Sequence, residues 1–294
     1  MVAALRTPDD RFRKLAGWPY APSYFQRPDS LRIHYVDAGP RGAGRTWLCL
    51  HGQPTWSYLY RRMIPVFAGV GDRVVAPDFL GFGRSDKPAD EATYTFEFHR
   101  NALLDLIAAL DLRNIVLVVQ DWGGLIGLTL PMAAPERFVS LLMMNTMLGT
   151  GDQPLGEGFL AWRDFSDRNP DMDIARLMQR ACPQLTPEEA AGYTAPFPDA
   201  SYKAGVQRFP NLVPDGPDAP GAALSREART FWRDRWAGRS LMAIGMKDPV
   251  LGPRVMRALH ADIRNCPAPI EIAEGGHFLQ EWGEPIARAT VEKL

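Results

Sequence analysis

A long apolar run in this sequence stops at an aspartate. Ile115-Val116-Leu117-Val118-Val119 leads into Gln120-Asp121-Trp122-Gly123-Gly124, and apolar residues resume over 125–130. A buried strand that turns sharply into a helix presents one side chain at the edge of a sheet, beside the positive end of the helix. Serine usually holds that position, in the pattern G-x-S-x-G; here Asp121 takes it and Val119 stands at the first glycine. A carboxylate is ionised at neutral pH, so it attacks carbon without a base to activate it. Aspartate is also a favoured helix N-cap, and this segment alone fits that plainer role.

Three other segments supply the partners that such a nucleophile needs. His51-Gly52-Gln53-Pro54-Thr55-Trp56 directly follows a short apolar run. A turn there offers the backbone N–H of Gln53 to a developing oxyanion, and the residue after the nucleophile, Trp122, offers another. Gly275-Gly276-His277-Phe278 follows the last apolar run and supplies a base. Gly245-Met246-Lys247-Asp248 follows the run before it, so Asp248 falls between nucleophile and histidine in the chain order expected of a nucleophile–acid–base set. The run over 141–144 ends in Asn145, which carries no charge to pair with an imidazole. His34, His99 and His260 lack such a setting and read as structural. No H-E-x-x-H or similar spacing argues for a metal.

Several elements must hold these residues. Apolar stretches at 31–36, 47–50, 73–76, 115–119, 141–144, 241–244 and 270–273 predict strands. The stretch over 115–119 is apolar at every position, as in a parallel strand buried on both faces. Residues 94–110 carry Phe98, Leu103, Leu106, Ile107 and Leu110 near helical spacing. Strands alternating with helices predict an α/β fold with a mostly parallel central sheet flanked by helices. The alternation breaks over 151–221, where short amphipathic pieces at 159–165, 174–181 and 188–193 predict an inserted helical cap. Within it, Thr186-Pro187-Glu188-Glu189 reads as a capping box, and residues 214–221, rich in Pro and Gly, read as a linker. The expected organisation is a core over 1–150, a cap over 151–221, and the rest of the core over 222–294.

Bulk properties exclude several classes. The 294 residues carry 33 basic and 34 acidic side chains, a net charge of −1. That balance gives no basic excess to neutralise nucleic-acid phosphates. Three scattered cysteines form no disulfide framework and point to a reducing compartment. No stretch approaches the roughly 20 apolar residues of a membrane span, and residues 1–11 lack the apolar core of a signal peptide. These features predict a cytoplasmic protein without membrane or nucleic-acid partners.

With these motifs in hand, the chain resembles haloalkane dehalogenases of the α/β-hydrolase superfamily, in the subgroup with an Asp–His–Asp triad and two halide-binding tryptophans. The resemblance rests on residues 51–59, on Asp78-Phe79-Leu80-Gly81-Phe82-Gly83, and on the segments around Asp121, Asp248 and His277. It implies that Asp121 is the nucleophile, His277 the base and Asp248 the acid. Trp122 is one halide donor, and Trp162, in Gly158-Phe159-Leu160-Ala161-Trp162, is the other. It further implies a small haloalkane, water and halide as ligands, no cofactor, and a single chain as the working unit. Phe159, Phe165, Val250 and Leu251 are expected to line an apolar pocket. One departure is Gln53, where relatives carry Glu or Asn. The main alternative is an epoxide hydrolase on the same fold, which would use cap tyrosines such as Tyr193 and Tyr202 as acids; Trp122 beside the nucleophile argues against it. A haloacid enzyme is a lesser variant that would want cations to hold a carboxylate, and the matching loops carry no arginine beyond Arg61 and Arg62. A ligand-binding protein that kept only the pocket would not need all three reactive groups.

Overall fold

The computed structural model describes residues 2–294. Eight strands build one sheet: β1 (Ser23–Gln26), β2 (Arg32–Ala38), β3 (Thr46–Leu50), β4 (Arg73–Pro77), β5 (Ile115–Gln120), β6 (Phe138–Met144), β7 (Arg239–Gly245) and β8 (Ile270–Ile272). Their spatial order is β8-β7-β6-β5-β3-β4-β2-β1. Strands β3 to β8 run parallel, while β2 is antiparallel to both β1 and β4. All seven predicted strands are present. The eighth, β1, has the sequence Ser-Tyr-Phe-Gln; an edge strand with one paired side needs no apolar periodicity, so the sequence carried no signal for it.

The central strand explains its own composition. Ile115, Leu117 and Val119 join the apolar cluster on one face, and Val116 and Val118 join the cluster on the other, where Trp47, Phe67 and Ile286 lie. Every residue of β5 is buried. A strand covered on both faces has no polar side, so its sequence is apolar throughout.

Ten helices surround or extend this sheet: α1 (Ile64–Gly69), α2 (Phe96–Ala109), α3 (Trp122–Gly127), α4 (Glu157–Arg168), α5 (Ile174–Ala181), α6 (Pro187–Thr194), α7 (Ala204–Arg208), α8 (Ala222–Thr230), α9 (Pro253–Asp262) and α10 (Gly283–Lys293). Helices α4 to α8 lie between β6 and β7 in the chain, with no strand among them. Thr186 and Glu189 form the capping box at the start of α6. The helix after the elbow begins at Trp122, earlier than the apolar run over 125–130 suggests. The carbonyl of Asp121 accepts from both Gly124 and Leu125, which closes the first turn immediately.

A buried charge cluster fastens α6 to the core. Arg61 donates to both oxygens of Glu281 at 2.6 and 2.8 Å, and Arg62 reaches Glu281 and Glu189 at 3.1 and 2.5 Å. The Tyr193 hydroxyl, from α6, also donates to Glu281. Burial of Glu281 is tolerated because every charge in the cluster has a partner.

Parallel strands bring their carboxyl ends to one edge. Gln53, Asp121, Asp248 and His277 therefore all lie on loops that leave the same side of the sheet. Close approach there requires glycine. A Cβ on Gly123 would lie 2.0 Å from the Leu50 carbonyl oxygen, and one on Gly124 would lie 1.9 Å from Thr146 Oγ1. Because the first neighbour is backbone, it has no rotamer to yield. Gly123→Ala is expected to destabilise the fold by about 1–3 kcal/mol, visible as a lower unfolding midpoint in urea.

Candidate active site

Asp121 has backbone φ 50° and ψ −125°. A non-glycine residue with positive φ stores strain that its surroundings must hold. Three hydrogen bonds do so. The Asp121 N–H donates to Asn145 O at 3.0 Å, the Thr146 hydroxyl donates to Asp121 O at 2.7 Å, and the Gln53 N–H donates to Asp121 Oδ1 at 2.8 Å. The carboxylate consequently projects beyond the end of β5 rather than folding back as a cap; its side chain makes no capping bond to α3.

The loop that supplies the Gln53 N–H is itself fixed. His51 is fully buried, its Nδ1 lies 2.8 Å from Gly52 O, and its Nε2 accepts from the Phe79 N–H at 3.0 Å. That pairing requires a neutral ring with its proton on Nδ1, and burial lowers the pKa of the imidazole accordingly. Asp78 pins the next loop, accepting from the Ser57 and Arg84 N–H groups and facing His34 Nδ1 at 2.7 Å. Burial opposes its ionisation, but His34 and these donors outweigh it and hold the carboxyl at about 2. The Gln53 side chain donates to Val206 O at 3.1 Å, so its amide ties the loop to the middle of α7.

His277 stands between two carboxylates. Its Nδ1 is 2.9 Å from Asp248 Oδ2, and its Nε2 is 3.5 Å from Asp121 Oδ2. Burial disfavours the imidazolium, yet Asp248 and Asp121 together push the pKa up to about 10. Burial likewise raises the Asp248 carboxyl, and His277, the Asn145 amide and the Val250 N–H bring it below the ordinary aspartate value. Asn145 donates to Asp248 Oδ2 at 2.7 Å and accepts from the Gly245 N–H at 2.7 Å. The sequence reading set Asn145 aside because it is neutral; its contribution is to orient the acid. Gln120 was also missed, and its amide nitrogen lies 3.2 Å from His277 Nε2 and 3.1 Å from His277 O. A polar residue closing a strand buried on both faces must find partners, which was the available signal.

These groups open onto a cavity of about 890 Å³. Gln53, Asp121, Trp122 and His277 form its floor, and the expected Phe159, Trp162, Phe165, Val250 and Leu251 all line it. The charged lining residues Arg180, Lys247 and Glu274 are exposed, so charge sits where the cavity meets solvent. Trp47, Trp56, Trp232 and Trp236 each give their indole N–H to a protein acceptor. Among the described residues, Trp122, Trp162 and Trp282, which line the cavity, have no such acceptor, and neither has Trp18. Tyr193 and Tyr202 do not line the cavity. His34 and His260 face Asp78 and Pro267 O, and His99 is buried among aromatic rings, all away from these groups.

A carboxylate on a strained strand–helix turn, an imidazole on the loop after the last strand and a sheet of this order define an α/β-hydrolase, and the family model described as alpha/beta hydrolase fold matches residues 48–284. The chain belongs to the haloalkane dehalogenase family within that class. It is 44% identical to the haloalkane dehalogenase of Psychrobacter cryohalolentis, covering 98% of this chain and 97% of that one. It is 39% identical to the haloalkane dehalogenase of Mycolicibacterium paratuberculosis, covering 94% and 93%. Among solved structures, the tetrameric haloalkane dehalogenase DpaA from Paraglaciecola agarilytica superposes with a TM-score of 0.97 at 47% identity, covering 100% of this chain and 99% of that chain.

The raised pKa of His277 has a testable origin. Asp121→Ala removes one of the two carboxylates that favour the imidazolium, so the ring should titrate below the value of about 10. A histidine-labelled NMR titration of both proteins measures the difference.

Proposed function

We propose that this protein hydrolyses small haloalkanes to alcohol and halide through a covalent ester on Asp121. The observation that carries this reading is the cavity itself: the Asp121 carboxylate with an imidazole behind it, and the indoles of Trp122 and Trp162, free of protein acceptors, beside a lining that is largely apolar away from its charged mouth. An alkyl halide has no carbonyl to polarise, so its carbon must be displaced directly. Asp121 Oδ2 attacks, the carbon–halogen bond breaks, and the electron pair leaves with the halide. The indole N–H groups of Trp122 and Trp162 are donors with no acceptor character, suited to the charge that develops on the halide in a dry pocket. Asp121 Oδ1, held by the Gln53 N–H, becomes the ester carbonyl oxygen, with the Trp122 N–H as the second donor for the oxyanion that follows.

Water then attacks the ester carbon, with His277 Nε2 taking its proton and Asp248 holding the imidazole and stabilising its cation. Collapse returns Asp121 as carboxylate and releases the alcohol; the proton leaves to solvent. The electrostatics favour this sequence. While Asp121 is ionised, its charge supports the imidazolium. Alkylation neutralises Asp121 and removes its share of that support, so the ring gives up its proton to solvent more readily at the stage when water needs a base. Residues 151–221 serve as the cap in this scheme, carrying Trp162, Phe159 and Phe165 over the core. The competing epoxide chemistry would need tyrosine hydroxyls at the substrate, and Tyr193 instead spends its proton on Glu281. One chain supplies every lining group, so the scheme requires no second copy. Light scattering against the 32.7 kDa chain mass decides whether this protein assembles as DpaA does.

The two half-reactions separate experimentally. His277→Gln should release about one halide per active site from a bromoalkane and then stop, because displacement needs no base. Mass spectrometry should find the alkyl group on the peptide carrying Asp121, and Asp121→Ala should release no halide. A His277→Gln protein with neither burst nor adduct overturns the scheme. Bromide should also quench tryptophan fluorescence saturably, and Trp162→Phe should weaken that binding by roughly tenfold or more, the contribution of one hydrogen bond to a charge.

A further inference from the structure

We propose that Gln120 is a positioning residue for the base: its side-chain amide, locked by the His277 carbonyl, directs an N–H at Nε2 and so favours the neutral imidazole with its proton on the Asp248 side. The inference rests on the two-step reading above and concerns only its second half.

The geometry is specific. Gln120 is the last residue of β5, fully buried, and one position before Asp121. Its Nε2 lies 3.1 Å from His277 O and 3.2 Å from His277 Nε2. An amide nitrogen carries two hydrogens, one for each acceptor. Reversing the amide would set its oxygen against the backbone oxygen of His277, two acceptors at hydrogen-bond distance, so the carbonyl fixes which end faces the ring. The cost is visible: Gln120 Oε1 is buried and has no partner among the described residues. A buried acceptor left unpaired is unfavourable, and the arrangement tolerates it to keep both N–H groups on His277.

The chemical consequence follows from what else faces the ring. Asp248, from the loop after β7, faces Nδ1, and Asp121, from the elbow, faces Nε2. Both favour the protonated ring. Gln120 acts in the other direction, because a protonated Nε2 would oppose one N–H to another. While Asp121 is ionised the carboxylates prevail. Once Asp121 is an ester, its charge is gone and the amide tilts the remaining balance toward free base, with the Nε2 lone pair available for the proton of water. The amide contact also fixes the ring plane until water takes its place at the lone pair.

The test follows hydrolysis of the alkyl-enzyme against pH in single turnovers with a bromoalkane, using rapid quench and mass spectrometry, in wild type, Gln120→Met and Gln120→Glu. Methionine keeps the length and donates nothing; glutamate places an acceptor on the ring. The acid limb of ester hydrolysis should rise by about one pH unit in Gln120→Met, the contribution of one neutral hydrogen bond, and further in Gln120→Glu. The initial halide burst should stay within about twofold of wild type in both, since alkylation does not use the base. Coincident acid limbs, or a downward shift in Gln120→Met, overturn the proposal. A merely structural role would slow hydrolysis equally at all pH and would not rank the two variants. Should either variant fold poorly, the Asp121→Ala protein with Gln120 intact carries the test. Its ¹⁵N ring shifts should put the neutral proton of His277 on Nδ1, and a proton on Nε2 overturns the proposal. A His277→Gln protein with no alkyl adduct on Asp121 is the distinct result that would remove the two-step reading itself.

Discussion

The strained backbone of Asp121 is the constraint on which the rest of this molecule depends. A φ of 50° at a residue with a Cβ is unfavourable by about 1–3 kcal/mol, and it persists because the turn is held from several directions. Asn145 and Thr146, at the end of β6, grip its backbone, and Gln53, at the end of β3, grips its carboxylate. Those two strands are the immediate neighbours of β5 in the sheet. The parallel order of the sheet therefore both creates the strain and supplies the atoms that sustain it. Gly123 and Gly124 then let α3 pack against those same neighbours.

The second organising fact is that one imidazole lies between two carboxylates of different character. Asp248 is fully buried and held by Asn145 and the Val250 N–H, so it stays charged and stationary. Asp121 lies at the cavity, and in the proposed chemistry its charge is consumed and restored in each cycle. A fixed partner on one side and a switchable partner on the other give the imidazole two proton affinities without any movement of the chain. Gln120 adjusts that balance from a third direction with a neutral dipole.

Much of this was legible in the sequence, and the reasons are physical. β5 announced itself because a strand buried on both faces has no polar position, and Asp121 stood out as the first charge after it. His277 and Asp248 followed from order along the chain, since parallel strands bring successive loops to one edge. The capping box at Thr186 and Glu189 is local chemistry, readable over four residues. The missed features depend on neighbours distant in sequence. β1 is defined by pairing with β2. Asn145 acts across 103 residues on Asp248, and Gln120 across 157 residues on His277. Neutral amides carry no charge pattern to betray such a role, and their partners exist only once the sheet has formed.

The insert between β6 and β7 is not fastened evenly. Its α6 side is bound through the buried Arg61–Glu281–Tyr193 cluster, and its α7 region through the Gln53 amide. The α4 side presents Phe159, Trp162 and Phe165 to the cavity while Leu160 and Phe165 remain exposed. Substitutions at α4 change the wall of the pocket without touching the anchors, whereas substitutions at Arg61 or Glu281 strand a buried charge. Sequence drift in such a lineage is thus channelled. The α4 face can reshape the chamber, while the anchored side, which lies outside the chamber, is held in place by the cost of stranding a charge away from water, so novelty and integrity fall on separate faces of one small insert.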